Sequence, residues 1–486
     1  MLNEKYIELI NQTYLLNRIH NSDELVKTLN YFDDFCKNNL RGKSKIHYYK
    51  PGTVHNYWIV PKRWNLKSFS LVDPKGNVIA TEKDHPLVVG AYSRAINQSI
   101  ELSELKKKII SREDMPDAYL FYVRSMYRHW ENDWYISLPF NQLKNLVNGT
   151  YQIHIDAEFN EEPMPIFEYF LKGKTEKTIF LTGHIDHPGQ INDSISGCIS
   201  SINAIENIEK NMEQTEYSYR ILLVPEIIAS AIYLKNNENQ IKDTFFAFCP
   251  NMTSHDAPLA MCYSKSQSSL LDIALHLALK ESNAKFVIGS FHQYPDCGDE
   301  ISFDAAGYNI PTPTLSRIGE MFKKYHTSLD NISNFLTHES QERYTEFVNV
   351  MTKALLYIEK NKSIQINFSG NPCLSNPDLN LYLSQSNVGN MIVKDAQRYD
   401  LDGNMYDQRE FMEYYLDAIG SGGMSILEIA HSANIPFDLV LDYTNQFQKH
   451  NLIDLNPVNR RMKLDKVSSV YLKGAEGVSK QNEYVK

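Results

Sequence analysis

The sequence predicts an α/β protein: a three-layer α/β/α domain with a small β-rich insertion, followed by a C-terminal winged helix-turn-helix domain. Three observations lead there. Residues 151–362 alternate buried-type strands with helical stretches, the pattern of a layered α/β unit. Residues 57–150 change texture, with short β-prone runs between turn signals such as Asp73-Pro74-Lys75-Gly76-Asn77. Beyond residue 404, helical stretches follow one another across a short Asn434-Ile435-Pro436 turn. A chain of 486 residues is too long for one ordinary core, and about three units are expected. The expected boundaries are 1–56 with 151–365 for a discontinuous main domain, 57–150 for the insertion, 366–404 for a linker and 405–486 for the C-terminal domain.

In chain order, Leu25, Leu29, Phe32 and Cys36 mark one face of a helix, and Lys45 to Tyr49 suits a strand. In the insertion a helix is expected near Leu102 to Ile110, and the aromatics from Tyr119 to Tyr135 are read as core. Thr178 to Thr182, Ile221 to Val224, Phe245 to Phe248 and Thr312 to Leu315 are strands of the main domain, with helices over Ile227 to Leu234 and Ser340 to Glu359. Thr327 or Ser328 is an expected N-cap after His326. The Asn-, Ser- and Pro-rich stretch from Phe368 to about Asn404 reads as linker. Phe411 to Ile419, Ile426 to Ala430 and Phe437 to His450 read as helices, with Leu452 to Leu455 and Ser469 to Leu472 as wing strands and a frayed end beyond.

Composition narrows the function classes. A hydrophobic content of 42% and a charged content of 22% fit a folded soluble protein, and a net charge of -10 disfavours nonspecific nucleic-acid binding. The start, Met1 to Lys5, leads into an acid-containing amphipathic stretch rather than a signal core. Pro225 and Glu226 interrupt the most apolar window, short of the roughly 20 residues a membrane span needs. The six cysteines are scattered without a C-x-x-C pair, which fits reduced thiols. A cytoplasmic protein with no membrane partner is expected.

The richest stretch is Gly183 to Gly197, which joins an apolar strand to a segment whose Ile195, Ile199, Ile202 and Ile205 share a helical face. His184, Asp186, His187 and Asp193 therefore sit in a strand-to-helix turn, where open α/β sheets present their ligands. Imidazole and carboxylate are the side chains that hold a zinc-type metal. The same cluster also suits a polar surface turn. Glu226, at the end of another buried-type strand, reads as a second site residue or as a helix-cap carboxylate. His326 has Asp330 four residues on, placed to orient or balance it.

Taken together, these pieces resemble the clan of zinc-dependent aminopeptidases and glutaminyl cyclases. The whole chain is similar to a bacterial aminopeptidase-like family with an inserted β domain and a C-terminal winged helix. The resemblance rests on Leu16-Asn17-Arg18, Val60-Pro61-Lys62-Arg63-Trp64, Tyr92-Ser93, His187-Pro188, Asn192-Asp193, Ser196-Gly197, Pro225-Glu226, Gly298-Asp299-Glu300 and Tyr325-His326-Thr327-Ser328. It implies a zinc-exopeptidase-like fold and one zinc ion on His187, Asp193 and His326, with a fourth position left for water. Such a site brings the water's pKa to about 7 and polarises a carbonyl. Glu226 would then act as general base, passing the proton to the leaving amine, and Asp330 would support His326 from behind.

The chain departs from that pattern in three places. Asp186 stands where the close family carries Cys, so either His184 or His187 can be the ligand, with family usage favouring His187. Glu226 lies between Pro225 and Ile227 rather than in a glutamate pair, and Phe248-Cys249-Pro250 lacks the aspartate of two-metal members. One metal is therefore expected. Asp299 and Glu300 are candidates for holding a substrate amine or for substituting as ligands, and Asp186 for a supporting role.

At the C-terminus, residues 405–457 carry acids from Asp407 to Asp454 against Arg409 and Lys449. A DNA reader needs cationic donors, so a protein-contact or packing role is expected there rather than DNA binding. The reading is an aminopeptidase-like amide hydrolase acting on a small peptide. The alternatives are an N-acyl deacylase acting on a modified sugar or other N-acylated small molecule, and a non-catalytic scaffold that binds a protein partner through its winged helix.

Overall fold

The computed structural model describes residues 2–294, 297–383, 400–404, 406 and 408–464. It divides into two compact units, Met1–Cys262 with His292–Val348, and Tyr263–Phe291 with Asn349–Lys486.

The first unit is built on a mixed sheet in the order Lys43–Tyr49, Met164–Leu171, Ser218–Val224, Thr178–His184, Thr244–Pro250, Thr314–Arg317, Leu259–Cys262. The run from Ser218–Val224 to Thr314–Arg317 is parallel, and the strands on either side join it antiparallel. Thr178–His184 is buried along its whole length. That is why it reads as a continuous apolar run, as strands covered on both faces do. Phe180, Leu222 and Val224 turn one face toward the helix Ile228–Asn236. Gly183 lies on the other face, against the helix Ser196–Asn211; a Cβ there would meet the Cys198 amide and Sγ at 3.0 Å. The strand therefore delivers its C-terminal end, and the loop beyond it, between two covering layers.

The N-terminal helices close one side. Ser22 caps Asp23–Asn39 by accepting from the Leu25 amide at 3.0 Å, and the expected face, Leu25, Leu29, Phe32 and Cys36, is buried. Glu206 ties this layer to Ser196–Asn211, accepting from Tyr6 Oη at 2.6 Å and pairing with Lys5 and Lys210 at 2.8 Å. Burial raises the Glu206 pKa, but Lys210, Lys5 and Tyr6 outweigh it and bring it from 4.5 down to about 2. A depressed carboxylate contributes stability that is present above its unfolded pKa and lost as pH falls through the folded one. Glu206→Gln is therefore expected to cost about 2 kcal/mol at pH 7 and to flatten the acid-induced loss between pH 4.5 and 2. Urea unfolding at stepped pH checks both.

Between these elements lies a second, antiparallel sheet in the order Val78–Thr81, Arg63–Val72, Thr150–Asn160, Ile96–Glu101. Its core includes Trp64, Phe69, Trp134 and Tyr151, whereas Trp130 is 62% exposed. The helix expected near Leu102 to Ile110 is one turn, Leu102–Leu105, followed by a tight turn Lys106–Lys108 and a short strand Ile109–Ile110. Three consecutive lysines leave no apolar stripe with which to continue a helix. Neither Thr327 nor Ser328 caps a helix. Thr327 bridges Leu120, the Ser328 amide donates to the Tyr119 carbonyl, and the next helix, Ile332–Phe335, is capped by Asn331.

The second unit contains the helices Gln408–Gly420, Ile426–Ala433 and Phe437–Lys449, and a two-stranded antiparallel sheet of Lys362–Ile366 with Ile453–Pro457. Tyr415, Tyr443 and Phe447 meet edge-on with ring centroids 4.9 to 5.2 Å apart. The strand expected near Leu452 to Leu455 thus takes its partner from residues 362–366. The other expected wing strand, Ser469 to Leu472, the frayed end and most of the second half of the expected linker lie outside the described residues. No helix among the described residues is long and apolar enough to cross a membrane.

Candidate metal centre and active site

The loop after Thr178–His184 is held from within by two buried charges. Arg18 donates to the carbonyls of Thr13 at 3.1 Å, His187 at 2.5 Å and Gln190 at 3.2 Å, and also to that of Ile185. Burial lowers its pKa to about 10, so it stays charged at neutral pH. Asp330 does the complementary work. It accepts from the amides of Ile191, Asn192 and Asp193 at 3.2, 3.0 and 2.9 Å and from Asn192 Nδ2 at 3.1 Å. Burial pushes Asp330 up to about 6 against these donors. The carboxylate expected behind His326 therefore shapes the loop that carries Asp193. Gly197 completes the turn, since a Cβ there would lie 2.3 Å from the Pro250 carbonyl oxygen.

Asp193 is the hub. Its Oδ1 lies 3.0 Å from His184 Nε2 and accepts from Asn251 Nδ2 at 3.2 Å. Its Oδ2 lies 3.1 Å from His326 Nε2 and 3.6 Å from His187 Nε2. One ligand atom each from His184, His187 and Asp193 falls within 4.8 Å of the others, and His326 reaches the same carboxylate from the more open side. Asp193 Oδ2 and His326 Nε2 are both shielded from solvent and have no hydrogen-bond partner among the described residues. Leaving buried polar atoms unpaired is costly. A carboxylate oxygen that makes no hydrogen bond, faced by the Nε2 atoms of His326 and His187, fits a zinc-type ion. His184 is paired through Nε2 to Asp193 Oδ1 and belongs to the same cluster as His187.

Glu226 is presented on a strained turn just past Ser218–Val224. Ile227 has φ 61° and ψ -56°, and the Ile228 amide donates to the Glu226 carbonyl at 2.6 Å, a γ-turn rare for a β-branched residue. Two buried carboxylates hold it. Asp186 Oδ1 accepts from the Glu226 amide at 3.1 Å, and Asp299 Oδ1 from the Ile227 amide at 2.8 Å and Ser230 Oγ at 2.6 Å. The Glu226 carboxylate accepts from Tyr127 Oη at 2.7 Å and packs on Gly298, where φ is +82° and a Cβ would come within 2.2 Å of Oε1. Gly298→Ala is accordingly expected to displace Glu226 and reduce turnover at least about tenfold with the metal retained. Paired activity and metal assays check this.

Charge is concentrated here. Burial alone would lower the His184 pKa, but Glu226, Asp193 and Asp299 lift it to about 10. Burial, with Glu226 nearby, raises Asp299 to about 7. A surplus of buried carboxylate favours a cation at the hub.

The structure thus brings together His184, His187, Asp193, His326, Asp186, Glu226 and Asp299. Glu300 is buried and pairs through Oε1 with His292 Nδ1 at 2.6 Å. Sequence reasoning missed His20, which lies 2.9 Å from Asp186 Oδ2, and Asn251. It read Phe121 and Tyr127 as core in preference to a binding platform. Phe121 is buried but flanks the His187 and His326 rings with centroids at 4.8 and 5.3 Å, and its amide donates to the His326 carbonyl.

Comparison with known proteins agrees with this architecture. Residues 7–361 match the family model described as Domain of unknown function (DUF4910). A Clostridium acetobutylicum protein, provisionally named a polysaccharide biosynthesis protein with an aminopeptidase-like domain, is 26% identical over 393 residues, which is 81% of this chain and 84% of its own. The crystal structure of a provisionally named peptidase from Clostridium acetobutylicum has a TM-score of 0.75 at 23% identity, covering 93% of this chain and 96% of that one. A zinc aminopeptidase from Bacillus subtilis has a TM-score of 0.51 at 15% identity, covering 72% and 93%. The fold is that of the aminopeptidase-like proteins.

Proposed function

The chain belongs to the DUF4910 family, and on that premise we propose that it is an aminopeptidase-like, metal-dependent hydrolase of amide bonds. The observation that carries this reading is the unpartnered Asp193 Oδ2, facing His187 and His326. The fold it shares with a zinc aminopeptidase, and its relative's aminopeptidase-like domain, support the choice of zinc and of an amide substrate. Asp193, His187 and His326 would hold the ion, which supplies Lewis acidity and acidifies water. Glu226, steadied by Tyr127 and by Asp186 and Asp299 beneath it, takes the proton of the attacking water and returns it to the leaving amine. Phe121 shields the histidine rings from bulk water.

A second reading, an N-acyl deacylase on a modified sugar, draws on Trp130, exposed three residues after Tyr127, and on the polysaccharide role in the relative's name. The second unit we read as a winged helix that contacts protein rather than DNA. Phe437–Lys449 carries Asp438 and Asp442 against Lys449, and Arg460 is already paired with Glu428. The test is a panel of aminoacyl anilides and their N-acylated counterparts, with and without chelator. Chelator-sensitive cleavage that requires a free amine supports the aminopeptidase, and cleavage of the acylated set alone supports the deacylase. No amide cleavage by zinc-loaded protein would favour the scaffold.

A further inference from the structure

Asn251 follows Thr244–Pro250, the parallel neighbour of Thr178–His184, and so emerges at the same edge of the sheet as His184. Its Nδ2 donates to Asp193 Oδ1 at 3.2 Å and lies 3.3 Å from His184 Nε2. Asn251 is 1% exposed, and His184 and Asp193 are buried with it. The Asp193 carboxylate thus has two differently used faces. Oδ2 makes no hydrogen bond and meets His187 and His326. Oδ1 is engaged by an imidazole and an amide.

An imidazole nitrogen beside a carboxylate oxygen is half of a metal site in its own right. What occupies the gap on the Oδ1 face is an amide N–H, which donates hydrogen bonds but offers no lone pair to a cation. We propose that the Asn251 amide fills the place of a second metal ion, limiting the centre to one metal on the Oδ2 face, and that Asn251→Asp opens a second metal position formed with His184 and Asp193. A carboxylate at residue 251 would put an acceptor oxygen and a negative charge where the NH2 group stands, beside a carboxylate placed to bridge, the chemistry of a two-metal site.

This inference rests on the metal-dependent reading above and is tested by counting metal rather than by activity. Full-length protein, stripped and reloaded with zinc chloride, is desalted and analysed for zinc per chain. Wild type is expected to hold one, Asn251→Asp two, and the double variant with His184→Gln one again. His184→Gln alone is expected to keep one zinc, with affinity lowered by about 10–100-fold at most, the cost of removing a ligand's hydrogen-bond partner. Two zinc ions in wild type, one in a folded Asn251→Asp, or loss of zinc in His184→Gln would each overturn the inference while leaving a metalloprotein. If Asn251→Asp does not fold, the wild-type count and His184→Gln still decide. No zinc in wild type would instead bring down the metal-dependent reading and this inference with it.

Discussion

Replacing Glu226 with Gln is expected to lower turnover by about 10²- to 10⁴-fold, the usual worth of a positioned general base, while zinc content and thermal midpoint stay at wild-type values. The amide of Gln keeps the shape and still accepts from Tyr127, whose Oη lies 2.7 Å from Oε2. What it cannot do is take a proton. The backbone under it is unchanged, because Asp186 and Asp299 hold the amides of Glu226 and Ile227 and not the side chain. The measurement is kcat on whichever amide substrate the panel identifies, beside zinc analysis and a melting curve. Activity within about tenfold of wild type would remove Glu226 from the proton-transfer role.

Arg18→Met is expected to have the largest effect on stability, about 3–5 kcal/mol, since each buried carbonyl left without a donor costs about 1–3 kcal/mol. Methionine fills much of the volume but leaves the carbonyls of Thr13, Ile185, His187 and Gln190 without their donor in a fully buried site. The carbonyls of Ile185, His187 and Gln190 belong to the loop that carries His187, so on the metal-dependent reading zinc affinity should fall with stability. Arg18→Lys should rescue little, since one ammonium cannot span the planar fork of acceptors. Urea unfolding and zinc competition on both variants measure this. A loss under about 1 kcal/mol would mean that the loop is held chiefly by Asp330 from the opposite side.

The scaffold was legible in the sequence where burial imposes a period. Thr178–His184 and Ser218–Val224 read as strands because both faces are covered, and Asp23–Asn39 as a helix because one stripe is. The strand-to-helix turn with His184, His187 and Asp193 was visible for the same reason, since a strand and a helix bracket it within a few residues. Residues assembled by tertiary contact left no such trace. His20 reaches Asp186 across more than 160 residues of chain, and Tyr127 reaches Glu226 from the β-rich segment. Asp330 was assigned to His326 by its spacing of four, which implies contact only on a helix. His326 has φ 56°, the chain turns there, and Asp330 is spent on the amides of residues 191–193. Asn251 lies one residue past Phe248-Cys249-Pro250, and only the register of Thr244–Pro250 against Thr178–His184 brings it to the hub.

An anomalous difference map at the zinc edge, from crystals grown with zinc, locates the ion against Asp193. One strong peak is expected about 2.0–2.2 Å from Asp193 Oδ2, His187 Nε2 and His326 Nε2. A peak between His184 and Asn251 instead, or no peak at Asp193 in zinc-saturated crystals, would contradict that expectation.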